Sequence, residues 1–373
     1  MTPHQLYLCK SIFDRIDSRF SFLETMEKRP DIPIGWKSDA DEPFIVSYQE
    51  LLSNRDLWIN NILEADIVIT GSAPDWLIAE RLKKGKLTFR YSERVYKKKC
   101  KYYELPARAV KYFWKHGRHK NLYLLCASAF TAGDYAKTGT FLKKTFKWGY
   151  FPETKVYDVK NLMQRKQNTI PQLLWAGRFL DWKHPEHTVL LADELKQNGY
   201  SFTLNLIGTG EMEGQLRQMI DERGLSDCVH LLGSMKPEEV RAHMEQANIY
   251  LFTSDRGEGW GAVLNESMNS GCAVVASHEI GAVPFLLKEG ENGLIYRSGD
   301  VRMLYEKVRY LLEHPEEQIR MGTAAYETIA QTWNAEVAAE RLLVLAECLK
   351  TGKETPYQDG PCSRAMPLLD NWD

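Results

Sequence analysis

The sequence predicts an α/β protein of two lobes, each a parallel sheet covered by helices. Three observations carry that prediction. The 373 residues are enough for two domains of ordinary size. From about residue 171, short apolar runs alternate with helical patterns at roughly thirty-residue intervals, which is the signature of repeated strand–helix units. The N-terminal half carries similar short apolar runs at wider spacing.

In chain order, Met1 to Phe13 reads as a helix. Pro3 suits a first turn, and Leu6, Cys9, Ile12 and Phe13 fall on one face. No strand precedes it in the pattern; the family resemblance set out below implies one there, and by that resemblance either the first strand of the N-terminal lobe is missing or the lobe is rearranged. Asp66–Ile69, Leu87–Phe89 and Leu122–Leu125 are short buried-strand candidates within a lobe spanning 1–152. Residues 153–170 are polar and lack periodicity, as a linker would. The C-terminal lobe, 171–335, opens with strand Gln172–Ala176 and a helix from Pro185 to Asn198. Strand Phe202–Ile207, a helix from Met212 to Arg223 and strand Val229–Leu232 follow, then a helix opened by Pro237. A strand near 249–253 and another at Ala273–Ala276 complete the repeat. Residues 336–373 supply a last helix and a tail.

Composition is that of an ordinary globular protein: 44% hydrophobic, 26% charged, net charge −2. The seven cysteines are scattered and include no Cys-x-x-Cys, which suits reduced thiols in a cytoplasmic setting better than a disulfide scaffold or zinc site. No apolar run approaches the length of a membrane span, and the N-terminus lacks a signal-peptide layout. Charge is unevenly placed. Residues 81–120 hold fifteen Lys or Arg against Glu93 and Glu104, a surplus of +13, interleaved with Tyr102, Tyr103, Tyr112, Phe113 and Trp114. An anionic membrane surface, nucleic acid and plain solvation compete as explanations, and no nucleic-acid motif accompanies the charge.

The densest chemistry lies in Glu258-Gly-Trp-Gly-Ala-Val-Leu-Asn-Glu266, after the apolar run Ala247–Ser254. Strand, glycine-rich loop and helix in that order place the amides near Gly261, Ala262 and Val263 at a helix N-terminus, an anion site. Gly259 and Gly261 let a phosphate approach the backbone. Glu266, one helical turn on, suits sugar hydroxyls. After the first strand of the same lobe come Gly177, Arg178 and Lys183, two cations at the carboxyl end of a strand, where the ligand crevice of a doubly wound sheet lies. A diphosphate beside a sugar would satisfy both segments.

The run from Gly257 to Ala276 resembles, nearly position by position, the Glu-x7-Glu stretch of retaining glycosyltransferases with two Rossmann-like lobes (the GT-B type), glycosyltransferase family 4-like. The resemblance is strong over 171–335 and weak over 1–150. It implies two lobes facing a central cleft, with the acceptor on the N-terminal side and the last helix packing back there. It assigns Arg178 and Lys183 to the donor diphosphate, Glu266 to the ribose and Glu258 to the donor sugar, with the loop Gly259, Trp260, Gly261, Ala262 and Val263 contributing amides. Gly208-Thr-Gly210 resembles the loop lining the nucleotide cleft; Glu213 in place of a third glycine excludes a dinucleotide fingerprint. Ser234 and Met235 match the segment that reads the base.

The implied reaction moves a hexose-type sugar from a nucleotide-diphosphate sugar, most often UDP-linked, to a sugar or lipid-linked acceptor, with no cofactor and no metal. Cell-surface polysaccharide or glycolipid assembly at the inner membrane face is the implied setting. His184 stands where the family usually has glycine, and His184-Pro-Glu-His187 is assigned no metal because it opens a helix without matching partners. Asp39-Ala-Asp41 reads as a surface turn. The family's N-terminal-lobe histidine has no evident equivalent; Ser92-Glu93 stands nearby. A catalytically silent nucleotide-sugar-binding partner, and a sugar phosphorylase or epimerase, are the rival readings.

Overall fold

The first structural unit comprises Met1–Pro152 together with Ala335–Asp373. The computed structural model describes residues 3–27, 42–98 and 100–368; the turn expected at 39–41 lies outside them. The Pro3–Ile16 helix buries Cys9 and Ile12 on its predicted inner face and packs against the Ala335–Lys350 helix. Strands β1 (Phe22–Leu23) and β2 (Ile45–Val46) form a small parallel pair. The main sheet runs β3 (Val68–Thr70), β4 (Thr88–Ser92), β5 (Leu122–Cys126), β6 (Thr145–Lys147), all parallel. Strand β6 has three residues, too few to show an alternation in the sequence. Its outer edge is closed by the tail: Lys147 N donates to Ser363 O at 2.8 Å and Ala365 N to Thr145 O at 3.1 Å. Those bonds occupy backbone groups that would otherwise template pairing with another chain.

Three cations of the basic stretch are core residues here: Arg81, Arg90 and Arg94. The Arg81 guanidinium donates to the carbonyls of Ile62 (2.8 Å), Ala65 (2.5 Å) and Leu87 (2.5 Å) and to Thr88 Oγ1 (3.1 Å). Burial lowers its pKa to about 10. A charge so placed is tolerated because its donors are satisfied. The basic surface is therefore smaller than the sequence count suggests.

The second unit, Glu153–Asn334, holds β7 (Gln172–Ala176), β8 (Thr203–Ile207), β9 (Val229–Gly233), β10 (Ile249–Phe252), β11 (Ala273–Ser277) and β12 (Leu294–Tyr296). They form one parallel sheet in the order β12-β11-β10-β7-β8-β9. Leu173, Leu204, Ile249 and Val275 from four adjacent strands meet helix residues such as Val189, Leu216 and Val308 in one buried core. The strand order reverses between β7 and β10, and a doubly wound sheet binds ligands outside the carboxyl ends at such a point.

The stretch expected to be a linker, 153–170, is partly structured. It carries the Val159–Gln164 helix, capped by Asp158 Oδ1 accepting from Lys160 N at 3.0 Å. Leu162 and Met163 are buried against Tyr326. Six residues are less than two helical turns, so no 3.6-residue period could be read there.

Candidate functional site

The loops leaving β7 and β10 lie side by side at the switch point and are stitched together. Asp255 N donates to Trp182 O at 2.9 Å. Thr253 Oγ1 donates to Lys183 O at 2.7 Å and accepts from Trp175 Nε1 at 2.9 Å. Across this seam Lys183 Nζ meets Glu258 Oε2 at 2.5 Å, and Ser254 Oγ donates to the same oxygen at 3.2 Å. Lys183 also lies 4.5 Å from the centroid of the Trp182 ring. Arg178 is exposed, and its guanidinium has no hydrogen bond or ion pair among the described residues. One paired and one unpaired cation thus stand at the carboxyl end of β7.

The loop after β10 ends at Gly261, whose φ of 90° is left-handed and caps the Ala262–Asn269 helix. A Cβ there would come within 2.6 Å of the Phe252 ring, so the position suits glycine alone. The amides of Ala262 and Val263 open this helix without intrahelical acceptors. Glu266 is half-buried in its second turn, and its carboxylate has no hydrogen-bond partner among the described residues. Burial raises its pKa, opposed in part by the Arg241 charge.

Gly177 follows β7, Gly208 and Gly210 follow β8, and Ser234 and Met235 follow β9. All stand at the carboxyl edge of the sheet. Gly208 has φ 144°, and a Cβ there would sit 1.8 Å from Gly177 O, so the two loops meet backbone to backbone. Trp260 is expected to offer the loop its amide, and its side chain is turned inward. Its side chain is fully buried, donates Nε1 to Asn265 Oδ1 at 2.8 Å and packs on Trp333, which leaves only its backbone for a ligand.

Sequence reasoning missed a network beside Lys183. His184, left-handed at φ 49°, sets Nδ1 2.9 Å from Glu186 Oε1 and Nε2 3.5 Å from Asp255 Oδ2. The two carboxylates raise its pKa to about 9, with the Asp255 hydrogen bond the larger cause. His187 stacks on it with centroids 4.6 Å apart. One of the partners of His184, Asp255, comes from the β10 loop, about seventy residues away in sequence. In the first unit, Glu93 follows β4 and holds Lys97 Nζ at 2.7 Å and the Tyr150 hydroxyl.

Residues 161–328 match the family model described as glycosyl transferases group 1. An amylovoran biosynthesis glycosyltransferase of Erwinia amylovora is 30% identical over 160 residues, 42% of this chain and 39% of that protein. An alpha-D-kanosaminyltransferase of Streptomyces kanamyceticus is 27% identical over 172 residues, 46% of this chain and 44% of that protein. The chain thus matches less than half the length of these curated relatives. Among solved structures, a glycosyltransferase from Rickettsia africae shares the fold with TM-score 0.67 over 93% of this chain and 94% of its own, at 16% identity. HepE of Anabaena, solved with UDP, superposes with TM-score 0.60 over 82% of this chain and 85% of its own, also at 16% identity. The α/β fold of GT-B glycosyltransferases that the sequence predicted is the fold of this chain.

Proposed function

We propose that this chain, whose residues 161–328 match the family model of glycosyl transferases group 1, moves a hexose-type sugar from a nucleotide-diphosphate sugar to an acceptor hydroxyl with anomeric configuration retained. The observation that carries the reading is the Lys183–Glu258 ion pair at the switch point, flanked by the unpartnered Arg178 and the open start of the Ala262–Asn269 helix. Lys183, Arg178 and the amides of Ala262 and Val263 hold the diphosphate. Glu266 takes the ribose hydroxyls and Glu258 the donor sugar. As the bond from the anomeric carbon to the diphosphate breaks, negative charge grows on the leaving oxygen, where fixed cations and amides stabilise the transition state more than the ground state. The acceptor oxygen bonds the anomeric carbon on the same face, and its proton passes to the leaving phosphate. Charge neutralisation comes from side chains, so no metal is required for transfer.

UDP is the favoured donor nucleotide, in keeping with the UDP complex of HepE; polysaccharide assembly is in keeping with the amylovoran relative. No helix among the described residues is long and apolar enough to cross a membrane. An anionic lipid surface is instead reached through residues 97–118. The Leu105–Tyr112 helix has no buried residue, and Tyr102, Tyr103, Phe113 and Trp114 are exposed among Lys97, Lys98, Lys101, Lys111 and Arg118. Aromatic side chains amid cations suit the headgroup layer of a membrane, which fits a lipid-linked acceptor at a cytoplasmic membrane face.

Calorimetric titration of the chain with UDP, GDP and ADP tests the donor site. One nucleotide should bind, and Glu266→Ala should weaken it about tenfold or more through loss of hydrogen bonds to a charged group. A folded chain that binds none of the three defeats the reading.

A further inference from the structure

We propose that His184, Glu186 and His187 bind one divalent transition ion of the zinc class, and that this ion ties the loop after β7 to the loop after β10. The three ligand atoms lie within 4.8 Å of one another. Glu186 Oε1 is 2.9 Å from His184 Nδ1 and 3.7 Å from His187 Nε2. With metal–ligand bonds of about 2.0–2.2 Å, those separations correspond to angles of roughly 90° and 120° at the ion, bracketing the tetrahedral value. The imidazole rings stack nearly parallel, 6° apart, so coordination requires the His187 ring to turn toward the carboxylate about its Cβ–Cγ bond. Nothing holds that ring in place through its far nitrogen: His187 Nδ1 is buried without a hydrogen-bond partner, and so is Glu186 Oε2. Two orphaned polar atoms in one small cluster are costly, and a carboxylate that binds the ion through both oxygens satisfies Oε2 as well as Oε1.

The surroundings supply what a metal-bound imidazole usually has. His184 directs Nε2 at Asp255 Oδ2, the carboxylate–histidine–metal arrangement that orients a ligand ring and raises its basicity. Asp255 is itself fixed by Gly257 N at 2.6 Å and belongs to the loop that carries Glu258. Two imidazoles and one carboxylate, with no thiolate, favour zinc, cobalt or nickel over magnesium or calcium. The ion takes no part in sugar transfer; it orders the segment that presents Lys183, three residues from Glu186.

The test uses the full chain without an affinity tag, titrated with zinc chloride by calorimetry. One saturable site per chain is expected. His187→Ala should abolish the site, and Asp255→Asn should weaken it about 10- to 100-fold. Cobalt should give visible d–d absorption without the near-ultraviolet thiolate band. Absence of saturable binding, an unchanged isotherm in His187→Ala, or a thiolate band assigning the ion to cysteines would each overturn the proposal. None of these readouts depends on donor binding.

Discussion

Lys183 and Glu258, seventy-five residues apart in sequence, form an ion pair at 2.5 Å in which each side chain is only 13% exposed. At that depth the pair is weakly screened, and removing one partner leaves the other charge largely buried without its counter-ion. The pair therefore serves two ends: it joins two loops and presets a cation beside the helix start at Ala262.

Lys183→Ala should lower kcat about 100- to 1,000-fold, the usual cost of losing one preorganised charge-stabilising group. Steady-state kinetics on the identified donor check this. Turnover within about tenfold of the parent would remove Lys183 from the transition state.

Gly208→Ala should destabilise the second unit by about 2 kcal/mol or more, because its Cβ would meet Gly177 O at 1.8 Å in a backbone conformation that L-residues rarely adopt. Thermal denaturation should show the fall, with nucleotide affinity dropping in parallel. A variant of parental stability would mean the two loops can separate at little cost.

His116 makes the first unit sensitive to acid. Its ring is buried 5.3 Å from Phe141, Nδ1 has no hydrogen-bond partner, and burial, followed by the Arg90 and Lys115 charges, lowers its pKa to about 3. The unfolded chain takes up the proton near pH 6.5, so stability is present above that value. It falls by roughly 1.4 kcal/mol per unit as the pH drops toward 3. Urea midpoints of the parent should decline over this window more steeply than those of His116→Phe. Parallel curves for the two chains would refute the assignment.

Tyr103→Ser combined with Trp114→Ser should reduce co-sedimentation with phosphatidylglycerol vesicles several-fold, since both side chains are more than half exposed (78% and 59%). Raised salt should weaken binding of the parent. Equal partition onto neutral phosphatidylcholine vesicles would argue against an anionic surface.

The second unit was largely legible because its strands are short continuous apolar runs between clean helical periods. Gln172–Ala176 and Ala273–Ala276 fall within one residue of the observed strands. Legibility failed where elements are short or where partners are distant. Strand β12, with three residues, and the helix at 159–164 carry no readable period. The Lys183–Glu258 pair brings together two residues the sequence had singled out separately, yet their contact required the β7–β10 adjacency of the sheet. His184 shows the same limit more sharply: its neighbours Glu186 and His187 were visible, but Asp255 was not. The cover of the Trp260 indole by Trp333 was likewise out of reach, since six further elements separate the two residues.

The tail that closes β6 bears on how the chain folds during synthesis. The second unit is one unbroken run, so it can condense as soon as residue 334 has emerged. The first unit cannot: its Pro3–Ile16 helix waits for Ala335–Lys350, and its edge strand waits for Ser363 and Ala365. Until then an open sheet edge and an apolar helix face stand exposed to other nascent chains, making the N-terminal half the part for which a holding chaperone would matter.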